Sequence, residues 1–522
     1  MNAMTGDKKM KTKIYILMLV AAMMTCGMQA QSAFENVRYR LEGMATTYHG
    51  DHNPLWLNAN RYGLSSLTDH NGYLRAGVFR DVETDSLKKL GIGYGADIAV
   101  AHNFTSDFIV QQAYVEGRWL HGALTIGSRE VPMEMKNQEL SSGGQCFGIN
   151  ARPVPQVRIS LPEYWNVPLT HGWLQLKGHI AYGVMTDGNW QQHFNTAGDK
   201  YQKWVRYHSK AGYLRLGDGV RSPLTIEGGL EMATLFGGKV THSGVTTSYK
   251  SGLKEYVKAI IPFSDWEDRT LYSAEGDQLG SVMLSIGYRL KDWKLRAYAD
   301  HFFEDGSSMY LLDYDGYGTG TDWNKHVKSR YLVYDPKDML WGFELTTPKN
   351  RYVSSFVLEY IYTKYQSGPI YYDHSTVMPD HIGGRDSYYN HGTYTGWSHW
   401  GQVMGNPLYL SPIYNANGSL SVMDNRFTAW HFGVNGDPAP GLHYRMLYTT
   451  QKGWGTYEAP YQDVRKNRSF LAEVSYQLPK RLARLHTDGW MVKGALGLDH
   501  GELLGNNSGV CVSIVKTGIL LH

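Results

Sequence analysis

The chain has 522 residues, enough for three or four domains of usual length, and a near-neutral formal charge of +3. Aromatic residues make up 13% and charged residues only 19%, with 38 Tyr and 58 Gly, which excludes coiled coils, helical repeats and charged disordered tails. The basic excess belongs to the N-terminal 30 residues, where Lys8, Lys9, Lys11 and Lys13 stand against Asp7. The rest is neutral and lacks the electrostatic footprint of a nucleic-acid binder.

The first predicted element is a leader over residues 1–30. It has a basic stretch (Lys8–Lys13), an apolar run (Ile14–Met24) and the small-residue site Met28-Gln29-Ala30, the three-part plan of a cleavable signal peptide. Met10 is a second candidate start, and Cys26 fits a lipobox poorly. After it come Cys146 and Cys511, too few for a disulfide framework and read as small buried side chains, with pairing left open. No apolar run beyond residue 30 is long enough for a transmembrane helix, so a membrane location requires a barrel.

Period-2 alternation then recurs along the chain. Val37, Tyr39 and Leu41 alternate with Arg38, Arg40 and Glu42, and Ile92, Tyr94, Ala96, Ile98 and Val100 share one face. Leu174–Val184, Val282–Leu290, Phe356–Tyr362, Leu442–Tyr448 and Phe470–Leu478 repeat the pattern. Apolar-out, polar-in strands of about 9–11 residues suit a transmembrane barrel. Trp293, Tyr298, Tyr360, Tyr362 and Tyr448 near strand ends suit interfacial girdles. A soluble propeller or stacked sandwich also alternates. Export, strand length and the contrast between short turns and long loops (Glu304–Lys328, Gln366–Ser421) favour the barrel. The expected fold is therefore all-β: one antiparallel outer-membrane barrel over residues 31–522, of about 16–18 strands, with short periplasmic turns and long extracellular loops.

Catalytic spacings are missing: there is no His-Glu-x-x-His, no Gly-x-Ser-x-Gly and no P-loop. Gly316-Tyr-Gly318-Thr-Gly320 reads as a loop tip, and Asp313-Tyr-Asp315-Gly316 lacks the later ligands of a calcium loop. His374, His381, His391 and His399 are not spaced as metal ligands. Glu304 and Asp305 read as solvated acids rather than a hydrolytic pair. No metal and no cofactor is expected.

Aromatic density in the longest loop is the stronger signal. Tyr388, Tyr389, Tyr394, Trp397 and Trp400, with Tyr371, Tyr372 and Tyr409, stand among Arg385, Asp386, His391 and His399. Aromatic faces stack on sugar C–H faces while polar groups meet hydroxyls, which makes these nine loop residues (Arg385, Asp386, Tyr388, Tyr389, His391, Tyr394, Trp397, His399 and Trp400) candidate glycan contacts. The same aromatics could instead pack on one another and fold the loop into the lumen. Both readings stay open.

Four segments in order carry a resemblance: Asn53-Pro-Leu-Trp-Leu-Asn-Ala-Asn-Arg-Tyr-Gly63; Leu140-Ser-Ser-Gly-Gly through Gly148-Ile-Asn-Ala-Arg-Pro-Val-Pro155; His301-Phe-Phe-Glu-Asp-Gly306 with Leu340-Trp-Gly342; and Asp386-Ser-Tyr-Tyr-Asn-His-Gly392 through Gly405-Asn-Pro-Leu408. Together they resemble the capsule assembly Wzi family of outer-membrane proteins. The resemblance implies an 18-stranded barrel that holds capsular polysaccharide at the cell surface, is not an enzyme, and depends on the barrel-assembly machinery and outer-membrane lipid. Asn150, Arg152, Pro153 and Pro155 are read as structural, with Arg152 paired to a carboxylate. A diffusion channel or export conduit is the alternative function, and a glycan hydrolase ranks last.

Overall fold

The computed structural model describes residues 35–82, 90–217, 219, 221–260, 276–304, 336–348, 352–368, 384–482 and 485–521. The expected leader, the Gly316–Gly320 and Asp313–Asp315 motifs, Asp305, Tyr371, Tyr372, His374 and His381 lie outside them.

Eighteen strands form one ring. In chain order they are β1 (Val37–His49), β2 (Asn71–Arg80), β3 (Leu90–His102), β4 (Phe108–Trp119), β5 (Gly122–Ser128) and β6 (Gln156–Asn166). Next come β7 (Leu174–Val184), β8 (Arg206–Leu216), β9 (Leu224–Phe236), β10 (Asp277–Leu290), β11 (Trp293–Glu304) and β12 (Met339–Thr346). The last six are β13 (Ser355–Tyr362), β14 (Phe427–Ala439), β15 (Leu442–Gly455), β16 (Pro460–Gln477), β17 (Trp490–Gly501) and β18 (Asn507–Leu521). Each pairs antiparallel with its chain neighbours, and β1 closes on β18 from Val37↔Leu521 to His49↔Ser508. Closure removes both sheet edges, so every ladder has a partner.

The wall is inverted relative to a water-soluble protein. Leu74 is 73% exposed and Val100 61% exposed, and Ile159, Ile286, Phe432, Leu496 and Val512 are exposed with them. The alternate residues Glu42, Arg75, Asp97, Glu231, Asp300 and Glu359 are buried toward the lumen. An apolar exterior over a polar interior is stable only where lipid is the outer solvent. The alternation read from the sequence thus gives the correct faces, and the soluble-sheet alternative falls.

Aromatics gird both rims, with Trp119, Trp173, Trp293 and Trp490 near one and Phe108, Trp341 and Trp430 near the other. Tyr298 corrects one expectation: it points inward, is buried, and donates its hydroxyl to Glu359 at 2.6 Å. The rims differ as expected. One carries tight turns at 120–121, 291–292 and 440–441; the other carries long connections over 50–70, 129–155, 185–205 and 363–426.

Candidate functional site

The long connections turn into the lumen, and lumen-facing carboxylates hold them there. In the 129–155 loop, Glu359 accepts from the Ser142 N–H at 2.8 Å and the Ser141 hydroxyl at 2.6 Å. Glu231 accepts from the Phe147 N–H at 3.3 Å, and Asp300 pairs with Lys136 at 3.0 Å. Asp499 accepts from Leu55 N–H at 3.0 Å at the head of the 50–70 connection. Asp338 accepts from the N–H groups of Tyr365 and Gln366, at 2.9 and 2.6 Å, where the longest loop leaves β13. A carboxylate that accepts backbone N–H groups makes strong charge-assisted bonds and satisfies donors that a buried loop would otherwise leave orphaned.

The aromatic loop is the centre of this plug. Tyr388, Tyr389, Tyr394, Trp397 and His399 are all buried. The Tyr389 and Tyr409 rings lie 4.1 Å apart, with Phe302 against Tyr388 and Phe427 against Tyr409. Tyr389 donates its hydroxyl to the Gln145 carbonyl and accepts from the Asn406 N–H at 3.0 Å. The Trp397 indole N–H donates to the Cys146 carbonyl at 2.9 Å. His399 has Nδ1 2.8 Å from the Arg152 carbonyl, while Nε2 accepts from the Thr186 N–H at 3.2 Å. Those partners require the neutral ring with its proton on Nδ1. Burial is the main cause that lowers the His399 pKa to about 4. Of the two open readings, packing accounts for these five side chains, which turn their ring faces to protein.

Arg385, Asp386, His391 and Trp400 keep some exposure. Asp386 accepts from the Ser367 hydroxyl at 2.7 Å, and the Arg385 N–H donates to the Gly368 carbonyl at 2.7 Å. His391 stacks on Tyr394 with ring centres 5.6 Å apart. Trp400 lies against Gly188, where a β-carbon would sit 2.8 Å from the indole. Reciprocally, Trp190 lies against Gly401, where a β-carbon would sit 2.5 Å from that ring. Both glycines have positive φ, so only glycine gives the two tryptophans these seats. Phe194 stacks on Trp190 at 4.6 Å. A partly exposed aromatic saddle of Trp190, Phe194 and Trp400 therefore lies on the long-loop side, built by two loops far apart in sequence.

Trp190 and Phe194 lie outside the nine loop residues that the sequence marks as candidate contacts. Their only local signal is an aromatic in the polar turn Asp187-Gly-Asn-Trp190, and nothing in sequence links that turn to Trp400.

The 148–155 segment is structural, with one correction. Asn150 accepts from the Asn60 N–H at 3.0 Å and donates to the Val403 carbonyl at 3.0 Å, tying three connections together. Pro153 and Pro155 offer their carbonyls to Ser128 and to the Val184 N–H. Arg152 forms no ion pair among the described residues. Its guanidinium lies 4.3 Å over the Trp400 ring and donates to Thr105 at 2.6 Å. Burial lowers its pKa to about 10, which still leaves it charged at neutral pH. Cys146 and Cys511 are separate buried thiols. No cluster suited to a metal ion occurs among the described residues.

Comparison with known proteins places the fold. No family model and no curated protein matches the chain. Among solved structures, the Escherichia coli outer-membrane protein Wzi superposes with a TM-score of 0.51 at 12% identity, over 92% of this chain and 85% of that one. It is described as a carbohydrate-binding β-barrel involved in group 1 capsule assembly. The Pseudomonas aeruginosa outer-membrane protein OpdK follows at a TM-score of 0.46 and 11% identity, over 93% and 99%. At 12% identity the likeness to Wzi establishes the architecture alone, that of an outer-membrane β-barrel.

Proposed function

We propose that this barrel binds polysaccharide at the outer face of the outer membrane and holds it at the cell surface, without chemical turnover. The observation that carries the reading is the pairing of a plugged lumen with an aromatic saddle at the long-loop rim. A packed plug favours a holder over an open conduit, because a diffusing solute would need the space that Tyr389, Trp397 and Tyr409 fill. The saddle keeps part of its indole and phenyl surface exposed for sugar rings, with Arg385, Asp386 and His391 on the same loop as polar partners. The shared architecture with a carbohydrate-binding barrel supports this at the level of fold. A leader over residues 1–30 and insertion by the barrel-assembly machinery complete the proposal.

Isothermal titration of purified protein with the polysaccharide of its own cells tests the reading. Binding is expected, and Trp190→Ala with Trp400→Ala should weaken it by about 1 kcal/mol per ring. Undiminished binding by the double variant would remove the saddle from the site, and release of smaller saccharides during titration would mean an enzyme.

A further inference from the structure

Beneath the plug, on the short-turn side, the lumen holds a second chamber of about 470 Å³, within the size range of small-molecule sites. Parts of β1, β2, β15, β16, β17 and β18 form its walls, and plug residues from 60–64 with Glu130 and Glu139 form its ceiling.

Five cations border this chamber, Arg40, Arg61, Arg75, Arg445 and Lys493, against four carboxylates. The carboxylates are already engaged. Glu42 takes Arg40 and, at 3.1 Å, the Tyr73 hydroxyl. Glu130 takes Arg75 at 3.0 Å and Gln111 at 2.9 Å. Glu139 takes Asn435 at 2.6 Å and lies 3.3 Å from His443. Glu473 is shared by Arg61 at 3.4 Å and Arg445 at 3.1 Å.

The cations are not used up. The Nε donors of Arg40, Arg61 and Arg445 are buried with no acceptor among the described residues. The Lys493 ammonium has no hydrogen bond or close ion pair with any described residue. Side-chain exposures of 34% for Arg40, 26% for Arg61 and 20% for Arg445 mean that solvent reaches other parts of these side chains, though not their Nε atoms. The chamber is thus rich in charged donors and poor in acceptors, the complement of an anion. It is also far larger than one carboxylate and is edged by Ser475, Ser513 and Asn60, side chains that match hydroxyls.

We propose that this chamber is a binding site for an anionic saccharide unit, one bearing a carboxylate or a phosphate, reached from the short-turn rim. The saccharide half of the inference rests on the polysaccharide reading above; the demand for negative charge rests on the chamber alone. Lys493 is the principal contact, because it alone among the five cations makes no direct hydrogen bond or ion pair with a carboxylate of the described residues, although Glu42 and Glu473 lie within electrostatic reach.

The test is calorimetry on the full chain in detergent with three probes: trigalacturonate, glucose 1-phosphate and neutral maltotriose. An anionic probe is expected to bind more tightly than maltotriose, with affinity falling as salt rises. Whichever anion binds more tightly identifies the source of the charge. Lys493→Gln or Lys493→Met should weaken binding about tenfold or more, while Lys493→Arg retains it. Heat-modifiable gel mobility checks that each variant is a folded barrel. Equal binding of maltotriose, no binding of either anion, or wild-type affinity in both folded Lys493→Gln and Lys493→Met would overturn the inference. Lys493-dependent anion binding, together with full surface retention of polysaccharide in a strain lacking the protein, would leave the chamber standing and count only against the holding role.

Discussion

Trp397 and Trp400 are three residues apart and do different work. Trp397 is sealed in the plug and bonded to the Cys146 carbonyl, so Trp397→Ala leaves a cavity and an orphaned acceptor. We expect a loss of about 3–5 kcal/mol, read as a lower thermal midpoint of the plug by near-ultraviolet circular dichroism. Trp400→Ala removes a partly exposed ring and should change that midpoint little while weakening glycan binding. Equal midpoints for the two variants would contradict the burial difference.

Two plug residues also set a pH response. His399 has a folded pKa of about 4, below its usual value near 6.5. Its stabilising contribution is complete above pH about 6.5 and is lost as pH falls toward 4. Asp424 accepts from the Gly455 N–H at 2.9 Å, and burial raises its pKa to about 7. Its contribution runs the other way, present at low pH and lost as pH rises through 7. Between pH 4 and 6.5 the two oppose each other. Asp424→Asn should therefore steepen acid destabilisation of the plug, and His399→Gln should flatten it, both measured as thermal midpoint against pH. A reversed order of the two slopes would sink this assignment.

At the scale of the element, strands were legible in the sequence and the plug was not. Leu174, Leu176, Ile180 and Tyr182 alternate with Gln175, Lys177 and His179 because lipid admits no charge on one face and a polar lumen needs it on the other. That constraint acts on every second residue and survives in a single sequence. The inward turn of Tyr298 was missed because its partner, Glu359, is far along the chain. The aromatic loop was ambiguous for a similar reason. Tyr389 among polar neighbours suits a sugar as well as a core, and only Gln145 and Asn406 decide for the core.

The element that locks the 129–155 loop is β13, through Glu359. Glu359→Ala removes three acceptor contacts, to Ser141, Ser142 and Tyr298, and should cost the plug about 3–5 kcal/mol. We expect new proteolytic cleavage within residues 129–155 and raised conductance in planar bilayers, with the barrel still heat-modifiable. Unchanged protection and conductance would mean that other anchors, such as the Lys136–Asp300 pair, hold the loop alone.

For the whole molecule, the low charge and high aromatic content follow from one architecture. An outer wall of eighteen strands faces lipid, and its tryptophans gird both rims. The remaining aromatics divide between a buried plug and a small exposed saddle, so only a minority of the aromatic surplus bears on recognition. Two compartments result, a saddle above the plug and a charged chamber below it, and a polysaccharide held from outside needs only the first.

The measurement that tests the central claim most directly is the partition of polysaccharide between cells and medium in a strain lacking this protein. Complementation with wild type and with Trp190→Ala/Trp400→Ala completes it. The account predicts shed polysaccharide in the deletion, retention restored by wild type, and shedding again with the double variant although its barrel folds. Polysaccharide that stays fully cell-bound in the deletion strain would contradict it.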